Sequence, residues 1–301
     1  MTRSGRALVS FALAIAAGSW GLYWLPQRML QDAGMTGGWG TLTQYILCVL
    51  LLTPFVLSNA MRGRPTGLNM PLIGLLMGGG AMCYGNSFLL TDVMRVLLLF
   101  YLAPLWATLL EIGMTRRPPH WSRAISLSAA VAGVWVVLGQ DAGLPLPKNT
   151  GDWLALAGGF LFAAGAARIN SVQPKGITPT LFAFFLYGGL VGVVQLPLLA
   201  GHLGPAPAAA DLVAMLPWLF ALSACFFIPT NVVIMGAPRF IGVGLFGILI
   251  LTELVFGTVS AALWANEAFG WREVLGASLI LGGAIVEVLL GPDSEPAQAP
   301  G

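Results

Sequence analysis

The chain has 301 residues, of which 57% are hydrophobic and only 9% are charged, and its mean hydropathy is +0.84. A soluble protein would carry charge on roughly 25% of its residues. This composition excludes an ordinary soluble enzyme and a disordered chain. The net charge of +2 gives no strongly basic surface of the kind that binds nucleic acid. We therefore expect an integral membrane protein whose first partner is the lipid bilayer.

Ten apolar segments follow one another along the chain, each close to the ~20 residues that a membrane-spanning helix needs. Turn-forming and charged clusters separate them, as at residues 62–65 and 115–119. The predicted fold is an all-α integral membrane protein of ten transmembrane helices. The predicted spans are residues 7–26, 40–60, 70–90, 93–114, 122–139, 152–169, 178–200, 212–234, 241–264 and 272–290.

Basic residues in the predicted loops indicate the orientation, because cations gather on the cytoplasmic side of a membrane protein. With the N-terminus inside, ten loop cations lie inside and four lie outside. We therefore expect a multi-pass protein of the cell inner membrane with both termini in the cytoplasm. The first segment begins after Arg3 and Arg6 as a secretory signal would, but it runs on past Trp20 to Leu25, so we expect an uncleaved span.

A weak internal repeat divides the chain into two halves. Residues 12–14 align with residues 154–156 at an offset of 142, and Pro104 aligns with Leu254 at an offset of 150. Five spans per half is an odd number, so the second half must run in the opposite direction, as in the inverted repeats of secondary transporters. We predict a first five-helix repeat over 1–139, an external linker over 140–151, a second five-helix repeat over 152–290 and a disordered cytoplasmic tail over 291–301.

Catalytic and metal-binding motifs are absent from the sequence. It contains neither a phosphate-binding glycine loop nor a zinc-protease motif. Cys48, Cys83 and Cys225 lie far apart in apolar segments, without the spacing of a metal site or a disulfide framework. His120 and His202 fall in predicted loops. We predict no enzymatic activity, no cofactor and no metal.

Glu253 is the most informative single residue because it lies in the middle of an apolar span. A charged carboxylate that faces lipid at that depth costs at least about 2.5 kcal/mol, so the side chain should face the bundle interior or a water-filled cavity. There it could bind a substrate ammonium group or take up a proton that couples transport. The alternative is a protonated structural acid that hydrogen-bonds to a neighbouring helix.

Aromatic and amide side chains near the middle of other spans complete the candidate site. The polar tips of buried tyrosine and tryptophan need partners, which a central cavity could supply. Amides can bind a carboxylate or an ammonium group without carrying charge. The alternatives are core packing and hydrogen bonding between helices. The predicted substrate-binding residues are Trp20, Tyr84, Asn86, Tyr101, Phe162, Tyr187, Asn231 and Glu253.

Prolines and one charged turn provide further predictions. Pro104 and Pro229 lie within predicted spans and are expected to kink them for gating, although packing kinks are equally common. Asp92 and Arg95 flank the short turn before the fourth span, where we expect them to form an ion pair with each other at the membrane interface.

Short patterns in both halves resemble those of a known family. They are SWG at 19–21, YLAP at 101–104, GDWLALA at 151–157, and the spacing of Glu253, Glu267, Gly276 and residues 282–283. With these patterns the chain resembles the drug/metabolite transporter superfamily, specifically its EamA-type ten-helix permeases. Two positions depart from the family pattern: Leu254 stands where it often has proline, and Arg117 where it often has glutamate.

The resemblance implies a secondary permease that moves small organic solutes by alternating access around a central cavity. We expect it to export amino acids, aromatic and other neutral ones, or related metabolites. In its size and aromatic content the chain resembles the YddG-like amino-acid exporters. Moderately polar walls suit a neutral or zwitterionic solute and suit a polyanion badly. The alternatives are a multidrug or hydrophobic-cation efflux permease, and a membrane enzyme or scaffold without transport. Proton coupling, and the choice between monomer and homodimer, stay open.

Overall fold

The fold is described from a computed structural model that covers residues 3–62, 69–116, 120–138, 147–172, 176–241, 243–265, 267 and 270–290. All regular secondary structure in these residues is helical. The protein is a multi-pass membrane protein, because seven of the described helical segments are long and apolar enough to cross a bilayer. They are Ser4–Asp32, Trp39–Met61, Val93–Gly113, Thr150–Ile169, Ile177–Leu203, Ala209–Ile241 and Leu245–Trp264.

The described chain forms fifteen α-helices and one π-helical segment, Ser223–Phe227. The α-helices are α1 (Arg3–Gly21), α2 (Trp24–Asp32), α3 (Trp39–Met61), α4 (Met70–Ser87), α5 (Val93–Phe100), α6 (Ala103–Thr115), α7 (Trp121–Leu138), α8 (Thr150–Val172), α9 (Ile177–Leu203), α10 (Ala209–Leu222), α11 (Ile228–Gly236), α12 (Pro238–Ile241), α13 (Val243–Ile250), α14 (Thr252–Trp264) and α15 (Trp271–Leu290).

Each of the ten predicted apolar segments falls on one helix or on a helix broken into pieces. The first segment continues beyond residue 26, because α2 extends the helical path to Asp32 after a short turn at Leu22 and Tyr23. Only residues 147–151 of the predicted linker are described, and the predicted tail 291–301 lies outside the described residues.

Helix α4 lies at the centre of the bundle, where it packs against α8 and α9. Every residue of α4 from 77 to 87 is buried. Glycines allow this close contact: a Cβ added at Gly78 would overlap the carbonyl oxygen of Phe184 in α9. The bundle therefore brings the C-terminal half of α4, which carries several candidate site residues, to its middle.

Two spans are interrupted halfway. One breaks between the end of α5 at Phe100 and the start of α6 at Ala103, and the other breaks at Leu251 between α13 and α14. The Tyr101 hydroxyl lies 3.1 Å from the carbonyl oxygen of Ile250, so the two breaks lie side by side. Broken helices leave backbone groups without helical partners, and these groups are tolerated only inside the protein or at a cavity.

Candidate functional site

A cavity of about 320 Å³ lies at the two helix breaks, among helices from both halves of the chain. Most of its wall is apolar or aromatic, including Phe100, Phe184 and Phe246. A concave, mostly apolar pocket with a few polar groups is typical of small-molecule sites. This cavity is therefore the candidate substrate site.

Six of the eight predicted substrate-binding residues line this cavity. They are Trp20, Tyr84, Tyr101, Phe162, Asn231 and Glu253. Trp20 is in α1, Tyr84 in α4 and Tyr101 at the break between α5 and α6. Phe162, Asn231 and Glu253 come from α8, α11 and α14, so the cavity joins distant parts of the sequence. The polar or aromatic character of single residues within apolar segments was the signal that selected these six residues.

Asn86 and Tyr187 lie elsewhere. Asn86 is two residues after Tyr84, so on an α-helix it points to nearly the opposite side, where its amide nitrogen donates to Gln195 at 2.7 Å. Tyr187 is half-buried and packs against α4, with its ring 2.8 Å from the position a Cβ of Gly74 would take. Neither residue is among the cavity lining.

Glu253 is held by two tyrosines. The Tyr84 hydroxyl donates to one carboxylate oxygen at 2.7 Å, and the Tyr101 hydroxyl lies 3.2 Å from the other. The side chain is in the first turn of α14, where the helix dipole favours a negative charge. Glycine at position 21 places α1 directly against this turn, because a Cβ there would overlap the Glu253 carbonyl oxygen.

Aromatic rings surround the carboxylate. The rings of Tyr84 and Phe100 are 4.3 Å apart, and Phe162 lies 5.6 Å from Phe100. Trp20 closes another side, with its indole nitrogen donating to Thr230 at 3.1 Å. Aromatic faces attract cations, so carboxylate and rings together suit a protonated amine.

Glu253 is the only carboxylate among the cavity-lining residues that the structure describes, and that lining contains no lysine, arginine or histidine. The Asn231 amide donates to the carbonyl oxygen of Phe227 at 2.8 Å. The described residues hold no group of three or more His, Cys, Asp or Glu side chains that could bind a metal. In the described wall, Glu253 is therefore the one side chain that can balance a positive charge on a solute.

The two candidate kink prolines differ in their settings. Pro104 lines the cavity in the first turn of α6, directly after the break at residues 101–102. Its missing N–H and fixed φ suit the start of a new helix. Pro229 is in the first turn of α11, and the irregular geometry there is the π-helical segment Ser223–Phe227 that precedes it.

Ion pairs lie together at one end of the bundle, near the start of α5. Arg28 lies 3.3 Å from Glu267 and also donates to the carbonyl oxygens of Phe88 and Thr91, each at 3.2 Å. Glu267 accepts the backbone N–H groups of residues 93 and 94 at 2.7 and 3.0 Å. A carboxylate from the far end of the chain therefore caps α5.

The predicted ion pair between Asp92 and Arg95 is wrong. Arg95 instead pairs with Asp152 of α8, which is fully buried and also accepts the Thr91 hydroxyl at 2.9 Å. A buried carboxylate requires a counter-charge, and this demand orients Arg95 toward α8. Arg28, Glu267, Arg95 and Asp152 form what we call the ion-pair cluster.

Sequence reasoning missed several functional candidates. Arg28 was not among the predicted site residues and Glu267 appeared only in the family pattern, because a pairing across 239 residues leaves no local signal. Gln44 and Gln195 lie inside predicted spans and are buried. Amides within apolar segments were a usable signal, because polar groups in spans face the bundle interior or a cavity.

The chain is similar to one protein family and to several solved structures. Residues 7–139 match the EamA-like transporter family. Sixteen chains of solved structures match the protein. One of them, a crystal structure, is 16% identical with a TM-score of 0.57, and the match covers 92% of this chain and 98% of that chain. At this identity the likeness shows the fold alone. No curated protein matches the sequence.

Proposed function

We propose that the protein belongs to the EamA-like transporter family of the drug/metabolite transporter superfamily, whose model matches residues 7–139, and that it is a secondary permease that exports small organic solutes with a protonated amine. Aromatic and other neutral amino acids are the first candidates. Solute exchange takes place by alternating access around the cavity at Glu253.

The observation that carries the proposal is the setting of Glu253. Its carboxylate is 8% exposed, lines the cavity and is oriented by two phenol groups. A solute ammonium would replace or join the tyrosine hydroxyls as a donor to the carboxylate. The aromatic walls of the same cavity accept the apolar side chain of the solute.

The contacts between helices support ten spans in two inverted five-helix repeats. α4, α7 and α15, with 18, 18 and 20 residues, would supply three spans beyond the seven that length and hydropathy identify. α1 packs against α11, α13 and α14, whereas α8 packs against α4, α5 and α6. The repeat relates α1 to α8 and exchanges these two sets of packing partners. Its offset of 150 also aligns residue 100 with residue 250, where the two helix breaks begin.

In alternating access, the two ends of the bundle would close in turn. The ion-pair cluster would form the closure at one end, and the cation distribution favours that end as the outer one, with both termini in the cytoplasm and the protein in the inner membrane. Opening would require Glu267 to leave the start of α5 and Arg95 to part from Asp152. The solute would then leave Glu253 toward the outside.

Hydrophobic amines are the second candidate, favoured by one specific observation. No basic side chain is among the described residues of the cavity lining, so the carboxylate of an amino acid has no counter-charge there. An amine without a carboxylate would leave nothing unpaired. Tryptophan and tryptamine differ by that group alone and therefore separate the two candidates.

The test is uptake by proteoliposomes of the purified protein, with labelled tryptophan and tryptamine, with and without a pH gradient. We expect saturable uptake that Glu253→Gln reduces at least tenfold for both compounds, since the charged acceptor is lost. Glu273→Gln is the matched control: that acid is equally buried, and among the described residues it accepts only the N–H of Gly270, directly before its own helix α15, at 2.8 Å. Equal uptake by both variants, or none by folded wild type, would overturn the proposal.

A further inference from the structure

One hydroxyl in the cavity wall has no partner in the protein. Ser126 of α7 lines the cavity and is 6% exposed. Its hydroxyl makes no hydrogen bond to any described residue, yet its oxygen is not among the buried unpaired atoms of those residues. The hydroxyl is therefore open to the cavity that Ser126 lines. Because polar groups inside proteins are nearly always paired, this hydroxyl indicates a partner from outside the chain.

The other side-chain donors of the described lining are already used within the protein. The two tyrosine hydroxyls meet the Glu253 carboxylate at 2.7 and 3.2 Å. The Trp20 indole nitrogen donates to Thr230 at 3.1 Å, and the Asn231 amide donates to a backbone carbonyl oxygen at 2.8 Å. Ser126 is therefore the one polar side chain of the described lining without any hydrogen bond.

A neighbouring serine on the same helix shows what Ser126 lacks. Ser128 donates to the carbonyl oxygen of Ala124, four residues earlier, at 2.9 Å. Serine hydroxyls inside helices often bond in this way to their own backbone. The backbone of Ser126 instead packs closely on α15, since a Cβ added at Gly283 would meet the Ser126 carbonyl oxygen at 2.9 Å. The free hydroxyl thus belongs to a residue whose backbone is held in place.

The wall that carries Ser126 is otherwise apolar and differs from the wall that carries Glu253. Helix α7 packs against α15, and Glu253 belongs to α14. Besides Ser126, the two packed helices contribute to the lining Leu127, Ala130, Ile280 and Ala284. A pocket of this kind typically covers about 70–90% of the surface of its ligand. A solute bound in the cavity of about 320 Å³ therefore contacts both walls.

We propose that the Ser126 hydroxyl binds the carboxylate of the transported amino acid while Glu253 binds its amine. This inference rests on the proposed permease function and narrows it to solutes that carry both groups. A serine hydroxyl has one donor, and an ionised carboxylate only accepts hydrogen bonds. A hydrogen bond to a charged acceptor is stronger than one between neutral groups. The cavity can therefore recognise an amino acid without a basic side chain.

The role of Ser126 decides which of the two candidate solutes the protein prefers. With Glu253 as the only recognition group, tryptophan would leave its carboxylate unpaired, and tryptamine would bind better. With Ser126 as a second group, tryptophan gains a charge-assisted hydrogen bond that tryptamine cannot form. The wild-type protein should therefore transport tryptophan with a higher kcat/KM than tryptamine.

The test uses Ser126→Ala, which removes the free hydroxyl and little else. Ser128→Ala is the matched control, because it removes a hydroxyl from an exposed position of the same helix. In proteoliposomes, Ser126→Ala should lower kcat/KM for tryptophan about tenfold, as expected for one lost hydrogen bond to a charged group, and leave tryptamine within about twofold. Its melting temperature in detergent should equal or exceed that of wild type, since no bond within the protein is lost. Ser128→Ala should transport both compounds as wild type does.

Each other result has a defined meaning. If wild-type protein takes up neither compound, the proposed function fails and the role of Ser126 fails with it. If wild type transports tryptophan and Ser126→Ala transports it equally well, the permease stands and the role of Ser126 is refuted. Uptake of tryptamine alone, or an equal loss for tryptamine in Ser126→Ala, would show that the hydroxyl does not select a carboxylate. A lower melting temperature for Ser126→Ala would show that its hydroxyl is paired within the protein, which also overturns the inference.

Discussion

If the ion-pair cluster closes one end of the bundle, as proposed above, replacing Glu267 with glutamine should open that end. Glu267 is a strong test position because its carboxylate caps α5 through two backbone N–H groups and also meets Arg28. Glutamine keeps one carbonyl oxygen and so keeps at most one of the two bonds to α5. The substitution is nearly isosteric, and it changes the charge more than the shape.

The magnitude follows from those contacts. One lost hydrogen bond to a charged group is worth about 1.5–3 kcal/mol. The ion pair adds only about 0–1 kcal/mol, because the Arg28 side chain is 31% exposed. A loss of about 2–3 kcal/mol shifts the equilibrium between closed and open forms about 30- to 150-fold.

Native Cys83 can report the opening. It is 5% exposed, and its sulfur accepts from the amide of the buried Gln195. With Cys48→Ala and Cys225→Ser in the background, a membrane-impermeant maleimide added outside should label Cys83 slowly in the parent protein. In Glu267→Gln the labelling rate should rise by at least tenfold, since the thiol reacts only from the open form.

A matched control separates opening from general loosening. Glu111→Gln disrupts an ion pair with Arg123 near the end of α6, far from the start of α5. We expect no faster labelling of Cys83 in that variant. An unchanged rate in Glu267→Gln, or an equal rise in both variants, would refute the assignment of the ion-pair cluster as a closure.

Further predictions address packing, the buried ion pair and coupling. Gly78→Ala should lower the free energy of unfolding by more than the about 1–3 kcal/mol that overpacking usually costs, because its Cβ would overlap the backbone of α9. Gly79→Ala should cost less, because its Cβ meets only a side-chain methyl at 3.1 Å. The melting temperatures of the two variants in detergent compare these costs. Asp152→Ala should destabilise by about 3–5 kcal/mol by leaving Arg95 uncompensated, and an unchanged melting temperature contradicts this. Glu253→Gln should abolish any dependence of uptake on a pH gradient, and pH-driven counterflow that persists excludes Glu253 as the proton carrier.

The sequence predicted the helical segments well because the apolar runs are long and their separators are charged or rich in proline. It did not predict the interruption at Leu251, where no proline or glycine marks the break. The corresponding break at residues 101–102 has Pro104 beside it. Tertiary contact explains the difference, since the Tyr101 hydroxyl lies against the Ile250 carbonyl oxygen that the break leaves free.

The candidate site was predictable where one unusual residue stood in an apolar span, as at Glu253. It was not predictable where the register of a helix decides which face a residue occupies. Asn86 and Tyr84 are two positions apart, and only one of them can face the cavity. The partner of Arg95 was also beyond local reasoning, because Asp152 is 57 residues away.

The most direct test of the central claim is calorimetric binding of tryptophan to the purified wild-type protein, Glu253→Gln and Glu273→Gln. A charge-assisted hydrogen bond is worth about 1.5–3 kcal/mol, so the account predicts about 10- to 100-fold weaker binding for Glu253→Gln. Glu273→Gln should bind as wild type does. Equal affinity in all three proteins would contradict the claim that the Glu253 carboxylate binds the solute's amine.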